Sequence, residues 1–250
     1  MAGPRRRAAD LRTAIATPEG KQRYVRRLFA TIADRYDFIT RFLSYGQDRR
    51  WKRRLVQLAA VEPSDRVLDL ACGTGDILFE AMARRPRRAV GLDLTLRMIQ
   101  LAHARVPAHV PGAASPLFLV GDMLALPFPS SDVDVVTTGY GLRNVPQLPV
   151  AIREIHRVLA PGGRLLSLDF NRPTNPLLRS AYLGYLTVVG STLGLALHRD
   201  PDTYRYIPES IRNYPGAAGV ARMLEAEGFV DVQAIPVLFG LMAIHTARKP

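Results

Sequence analysis

The stretch RVLDLACGTGDILFEAMARRPRRAVGLDL, residues 66–94, decides the fold. Its opening RVLDLA (66–71) is a short apolar run that reads as a buried strand. Glycines in CGTG then turn the chain, and a helix is expected near 76–84. AVGLDL (89–94) follows as a second apolar strand. The same rhythm continues downstream. A helix is expected at 95–105, strands at LFLVGD (117–122) and VDVVTTGY (133–140), and a helix at 147–159 stopped by the PGG of 161–163. RLLSLDF (164–170) is the fifth strand. Alternating strands and helices predict an α/β fold with a doubly wound, mostly parallel sheet. A helix at 216–227 and strands near 230–236 and 238–247 are compatible with an antiparallel terminal hairpin.

Two regions depart from this rhythm. Residues 18–60 read as an N-terminal helical cap, with Val25, Leu28, Phe29, Ile32 and Tyr36 at helical spacing, and Trp51, Leu55, Val56 and Ala59 in a further helix. Residues 171–213 read as a helical insertion within a main domain of 61–250. The insertion holds 19 consecutive uncharged residues, Ser180–His198. That length just suffices for a membrane span. Its glycines, threonines and evenly charged flanks favour instead a helical pair capping an apolar pocket. Residues 1–17 read as a disordered basic tail.

The 250 residues suffice for one substantial core, and 48% are apolar. A single cysteine excludes an intramolecular disulfide and a multi-cysteine zinc site. The five histidines have no ligand-like spacing with carboxylates, so no metal is expected. MAGPRRRAAD lacks the apolar segment of a secretory signal, and a reduced, cytoplasmic protein is the default. The net charge of +12 is unevenly placed: residues 1–54 carry 15 Lys/Arg against five Asp/Glu, and the remainder is nearly balanced. Such a segment favours polyanions, either nucleic acid or an anionic lipid surface, or is a solvated helix face with no partner.

Chemistry concentrates at the strand ends. Asp69, Gly73 and Gly75 line a turn that lets a ligand approach the backbone closely. The third glycine of a dinucleotide fingerprint is missing, with Leu78 in its place, and Asp69 would repel a pyrophosphate. Asp93 ends the second strand, where a carboxylate can take two ribose hydroxyls. Asp122 ends the third, where it can accept from an exocyclic amine. Together they suit an adenosine with a cationic, amino-acid-like end, as in S-adenosylmethionine. The alternative is three aspartates that merely cap helices.

Longer strings narrow this. YDFITRFLSYGQDRRWK (36–52), LDLACGTGD (68–76), GDMLALPF (121–128), GYGLRNVP (139–146), EIHRVLAPGGRLLSLDF (154–170), RPTNPLLR (172–179) and YRYIPESIRNYP (204–215) occur in order. The chain resembles the ubiquinone/menaquinone biosynthesis C-methyltransferases of the UbiE/MenG type, from about Tyr24 to Lys249. The resemblance implies a Rossmann-like class I methyltransferase fold with a seven-stranded sheet, and S-adenosylmethionine held by Thr74, Asp93 and the Asp122–Met123 pair. It departs from the usual pattern at Met123, at Asp169 (commonly Glu) and at Leu238–Gly240 (commonly Thr-Gly-Gly).

The implied acceptor is a polyprenylated quinol, demethylmenaquinol or the equivalent benzoquinol. Carbon methylation needs an electron-rich ring, hence the quinol and not the quinone. Arg143 is then expected to steady phenolate charge, since a guanidinium stays protonated and is a poor base. Asn144 is expected to position a hydroxyl or a water, and Tyr36 with Asp37 to close over the pocket. Tyr206 and His245 are further acceptor-site candidates. His156 is expected to be structural and Cys72 a small residue in the cofactor loop. The insertion would gate the opening for the ring while the tail stays near lipid, with peripheral attraction of the basic cap to an anionic membrane. A homodimer or a quinone-synthesis complex is compatible with this. Competing readings are methylation of another phenolic or lipid acceptor, a nucleic-acid methyltransferase and a non-catalytic module. TTGYGLRNVP lacks the Asn/Asp-Pro-Pro-aromatic pattern of many base methylators, which tells against nucleic acid.

Overall fold

The computed structural model describes residues 11–44, 46–106 and 115–250. Seven strands form one sheet: β1 (Arg66–Leu70), β2 (Arg88–Asp93), β3 (Leu117–Val120), β4 (Val133–Gly139), β5 (Leu159–Phe170), β6 (Val230–Val237) and β7 (Met242–Arg248). Their order is β3-β2-β1-β4-β5-β7-β6. The first five run parallel, and β7 pairs antiparallel with both β5 and β6. The doubly wound sheet with its terminal hairpin is as the sequence predicts.

β1 and β4 are central because helices cover both of their faces, so their residues are apolar without alternation. On one face Leu68, Val90 and Val136 pack among residues of two helices, Leu148–Val158 and Gly216–Ala226. On the other, Val67, Ala89 and Val135 pack against helices Asp48–Ala59 and Asp76–Met82. Strand order reverses between β1 and β4, and the crevice at the carboxyl ends of these strands is where such sheets bind ligands.

Three details differ from expectation. β5 begins at Leu159 and not after the PGG stop, because Leu159 pairs with Val133 before the register jumps to Val135–Arg164. The intervening turn is held by Gly162, at φ +77°, whose N–H donates to the carbonyl of Lys249 at 2.9 Å. Leu238–Gly240, expected within the last strand, is instead a 3-10 turn. Its three residues all have positive φ, which no strand tolerates. Lastly, residues 1–10 of the expected tail lie outside the described residues, but residues 11–14 are helical and Leu11 is buried against the cap. The packed cap therefore starts before Pro18.

The cap comprises helices Pro18–Ile32, Tyr36–Leu43 and Asp48–Ala59. The insertion contributes a 23-residue helix, Pro176–His198, and a second, Tyr206–Asn213. Asn175 caps the long helix, accepting from the N–H groups of Leu177 and Leu178. By length and composition this helix is able to cross a membrane. Here it packs on its own return segment. A Cβ on Gly194 would lie 2.4 Å from the carbonyl oxygen of Asp200, and one on Gly190 would lie 3.1 Å from that of Tyr204. The glycines of the insertion thus allow the pair to close.

Candidate active site

Two cavities meet at the carboxyl edge of the sheet. The smaller, about 80 Å³, lies over the ends of β1, β2 and β4. Gly73, Asp93, Asp122, Met123 and Asn144 face it. The larger, about 310 Å³, lies between the cap and the insertion and is almost wholly apolar. Arg143 and Tyr206 face this one. Phe29, Tyr36 and Tyr140 line both, so they form the partition.

The predicted residues therefore divide. Asp93 ends β2 and accepts from the N–H groups of Gly73 at 2.9 Å and Thr95 at 2.8 Å. Burial pushes its carboxyl above the usual range, opposed by those backbone donors. Asp122 accepts from the N–H of Leu124 at 2.9 Å, and its other oxygen accepts from the side-chain amide of Gln22. A nitrogen donor thus already sits where an exocyclic amine would bond. Asp93 and Asp122, two acceptors at successive strand ends beside a glycine turn, fit the ribose and adenine of S-adenosylmethionine.

Asp69, Thr74 and Gly75 do not face either cavity. The Thr74 hydroxyl donates to Asp37 at 2.6 Å, tying the glycine turn to the cap. Gly75, at φ +89°, starts the following helix. Asp69 is buried beneath the turn, accepting from the Thr137 hydroxyl at 2.8 Å, with its second oxygen unpartnered among the described residues. Burial pushes its pKa up to about 7. That exceeds the unfolded value of about 3.9. The native state therefore binds the extra proton between about pH 4 and 7, and this residue's contribution to stability falls as pH rises through that window. Asp69→Asn should accordingly melt higher than the parent at pH 8, by about 3 °C or more, with the gain shrinking toward pH 4. Thermal melts of both proteins across this range check it; a gain that grows as pH falls would contradict it.

Arg143 is buried and largely committed. Its Nε donates to Asp169 at 3.2 Å, and its Nη1 to the Ser210 hydroxyl at 2.7 Å and to Asn144 at 3.3 Å. Its own backbone N–H also reaches Asp169, at 3.0 Å. The guanidinium lies 4.9 Å from the centre of the Phe170 ring. Among the described residues Nη2 has no hydrogen-bond partner. The Tyr206 hydroxyl is likewise buried without a partner. Asn144 donates to the carbonyl of Tyr140 at 2.7 Å, which locks the loop after β4. Burial pushes Tyr36 up to about 12, so it is a neutral hydrogen-bonding phenol.

His245 faces neither cavity. It sits within β7, bonded to the carbonyl of Ala217 at 2.9 Å, because its register opposite Ser167 points it into the buried layer under helix Gly216–Ala226. Its acceptor role has no geometric support. His156 packs edge-on against Phe229, and Cys72 is buried with a thiol pKa raised by burial.

Two residues escaped the sequence reading. Lys21, on the first cap helix, donates to the carbonyls of Arg143 at 3.0 Å and Val145 at 2.7 Å. Burial first, and the Arg143 charge second, lower its pKa to about 8. Its neighbour Gln22 closes on Asp122. Nothing in their spacing distinguishes them from solvated helix residues; only the docking of the helix does.

Residues 17–249 match the profile of the ubiE/COQ5 methyltransferase family. The chain belongs to this family. It is 38% identical over 229 residues to the ubiquinone/menaquinone biosynthesis C-methyltransferase UbiE of Rubrivivax gelatinosus, covering 92% of this chain and 88% of that one. It is 39% identical to the demethylmenaquinone methyltransferase of Thermus thermophilus, covering 89% of this chain and 100% of the relative. In fold it resembles the magnesium protoporphyrin IX methyltransferase of Synechocystis with bound SAH (TM-score 0.63, 18% identity, covering 91% and 99%).

Proposed function

We propose that the chain transfers the methyl group of S-adenosylmethionine to a ring carbon of a polyprenylated quinol, demethylmenaquinol in the first instance. The observation that carries this is the meeting of an Asp-edged cavity with an apolar one at Phe29, Tyr36 and Tyr140. The donor, when bound, supplies an electrophilic methyl on a sulfonium. Asp93 and Asp122 hold its nucleoside. On the acceptor side, Arg143 Nη2 stabilises negative charge as a quinol hydroxyl ionises, in a wall of otherwise apolar side chains where such a donor is strengthened. Ionisation pushes electron density onto the neighbouring ring carbon, which forms the new C–C bond to the methyl as that methyl's bond to sulfur breaks, the electron pair staying on sulfur as a neutral thioether. The hydrogen on that carbon then leaves as a proton and the aromatic ring is restored. The cap excludes water through Lys21, which ties its first helix to the loop after β4.

Purified protein, labelled cofactor and reduced demethylmenaquinone test the reading directly. Label should enter the reduced quinol and not total tRNA. Accumulation of a quinone one methyl short in a strain lacking the gene would support the same conclusion, and an unchanged quinone profile would refute it.

The acceptor's tail requires an apolar path. A surface groove walled by Phe42 and Val188 adjoins the acceptor cavity through Tyr185. Phe38, Phe42 and Val188 of this groove are exposed, as are Leu177 and Leu195 of the long helix and Phe239 of the last turn, Phe239 almost fully. Arg41, Arg49 and Arg50 are exposed on the cap. We place the enzyme in the cytoplasm, resting this face on an anionic membrane. Binding to anionic vesicles should exceed that to neutral ones, and should fall about fivefold or more between low and physiological salt. The double substitution Leu177→Ser with Phe239→Ser should weaken binding to both vesicle types. Sedimentation with vesicles measures each effect, and salt-independent binding would remove the electrostatic part.

A further inference from the structure

A buried ionic chain runs from the partition between the cavities to the cap surface. The Tyr140 hydroxyl donates to Asp48 at 2.6 Å. The other oxygen of Asp48 meets the Lys52 ammonium at 2.6 Å, and Lys52 also bonds Asp76 at 2.9 Å. Asp76 pairs with Arg105 at 2.6 Å, and Arg105 with Asp37 at 3.2 Å. Asp48 and Lys52 are each more than nine-tenths buried.

A buried ion pair is weak evidence of a stabilising role: well-packed apolar residues often replace one without loss, because burying the pair carries a desolvation cost. A phenylalanine at 140 would fill the same wall without needing an acceptor behind it. The chain instead holds a tyrosine, and holds it at φ +60°, a conformation unfavourable for a bulky residue and concentrated at functional sites. Its ring touches both cavities and lies 5.7 Å from Phe170, the ring over which Arg143 sits. Movement of Tyr140 would therefore shift both the partition and the bed of the arginine.

We infer that Asp48 and Lys52 are positioning residues for methyl transfer: through the Tyr140 hydroxyl they fix the wall that sets the acceptor ring against the methyl donor. The inference rests on the proposed function. Lys52 is suited to the task. Burial works against its charge, but Asp48 and Asp76 outweigh burial and hold its pKa above the ordinary lysine range, so the clamp stays charged.

The test compares Tyr140→Phe, Asp48→Ala and their combination with the parent, using reduced demethylmenaquinone, calorimetric binding of S-adenosylmethionine and thermal melts. Small displacements of reacting groups are costly to rate. Tyr140→Phe should lower kcat about tenfold, with the cofactor Kd and the quinol KM within about threefold of the parent and the Tm lowered by only a few degrees, since Asp48 loses one donor but keeps Lys52. Asp48→Ala should lower kcat comparably, and the double variant should be no slower than the slower single one, since both remove the contact between the Tyr140 hydroxyl and Asp48. Parental kcat in Tyr140→Phe, or losses that multiply in the double variant, would overturn the inference. Should Asp48→Ala fail to fold, Tyr140→Phe decides alone. A parent protein inactive on the quinol would instead refute the proposed function, so the two failures are told apart.

Discussion

Arg143→Ala should lower kcat about 100-fold or more on the reduced quinol while leaving the cofactor Kd within about threefold. The reason is the division of labour around the guanidinium. Nε and Nη1 are spent on Asp169, Ser210 and Asn144, whereas Nη2 has no partner among the described residues, and Arg143 lines the larger cavity. Removing it takes away the charged donor available to a developing phenolate. The alanine variant has a second effect. Asp169, 1% exposed, loses its cation, and an uncompensated buried carboxylate costs about 3–5 kcal/mol. Part of any activity loss would then be loss of fold. Arg143→Lys separates the two. Its ammonium can still meet Asp169, but it lacks the fork that reaches two directions at once. The lysine variant should keep a near-parental Tm and still lose about tenfold or more in kcat. Steady-state kinetics with melts on both variants settle the matter, and near-parental kcat in both would remove Arg143 from the chemistry.

Asp93→Ala should act on the other side of the partition. We expect the cofactor Kd to rise about 100-fold, with kcat at saturating cofactor reduced much less. Two hydrogen bonds from ribose hydroxyls to a charged acceptor are worth about 1.5–3 kcal/mol each, and a hundredfold is about 2.7 kcal/mol. The carboxylate also receives the N–H groups of Gly73 and Thr95, so its loss loosens the glycine turn as well. Asp93→Asn, which retains one oxygen acceptor, should fall between the parent and alanine. Calorimetric titration with S-adenosylmethionine measures all three. A Kd unchanged in Asp93→Ala would mean that the nucleoside lies elsewhere.

The sheet was legible because its strands are buried on both faces, so RVLDL and AVGLDL announce themselves as apolar runs, and the helices between them carry clear spacing. The three acidic strand ends were legible for a related reason: a charge at the end of such a run is conspicuous. Their individual roles were not. Asp69 and Asp93 are each one acidic residue near the end of a short apolar strand, yet one points beneath the turn and the other over it. That choice is made by strand register and by the Thr137 hydroxyl, which only the neighbouring strand supplies. His245 misled for the same reason, since alternation along β7 sends it away from the cavities. Lys21, Gln22 and the Tyr140–Asp48 contact depend on the docking of the cap, a long-range packing event that local periodicity does not encode.

Lys21 and Gln22 are neighbours on one turn of the first cap helix, yet they fasten it to different parts of the sheet's rim. Gln22 closes on Asp122, just beyond β3, while Lys21 closes on the carbonyls of Arg143 and Val145, beyond β4. A single turn of helix thus bridges two strand ends that are not neighbours in the sheet. A change that unwinds that turn would loosen both fastenings together.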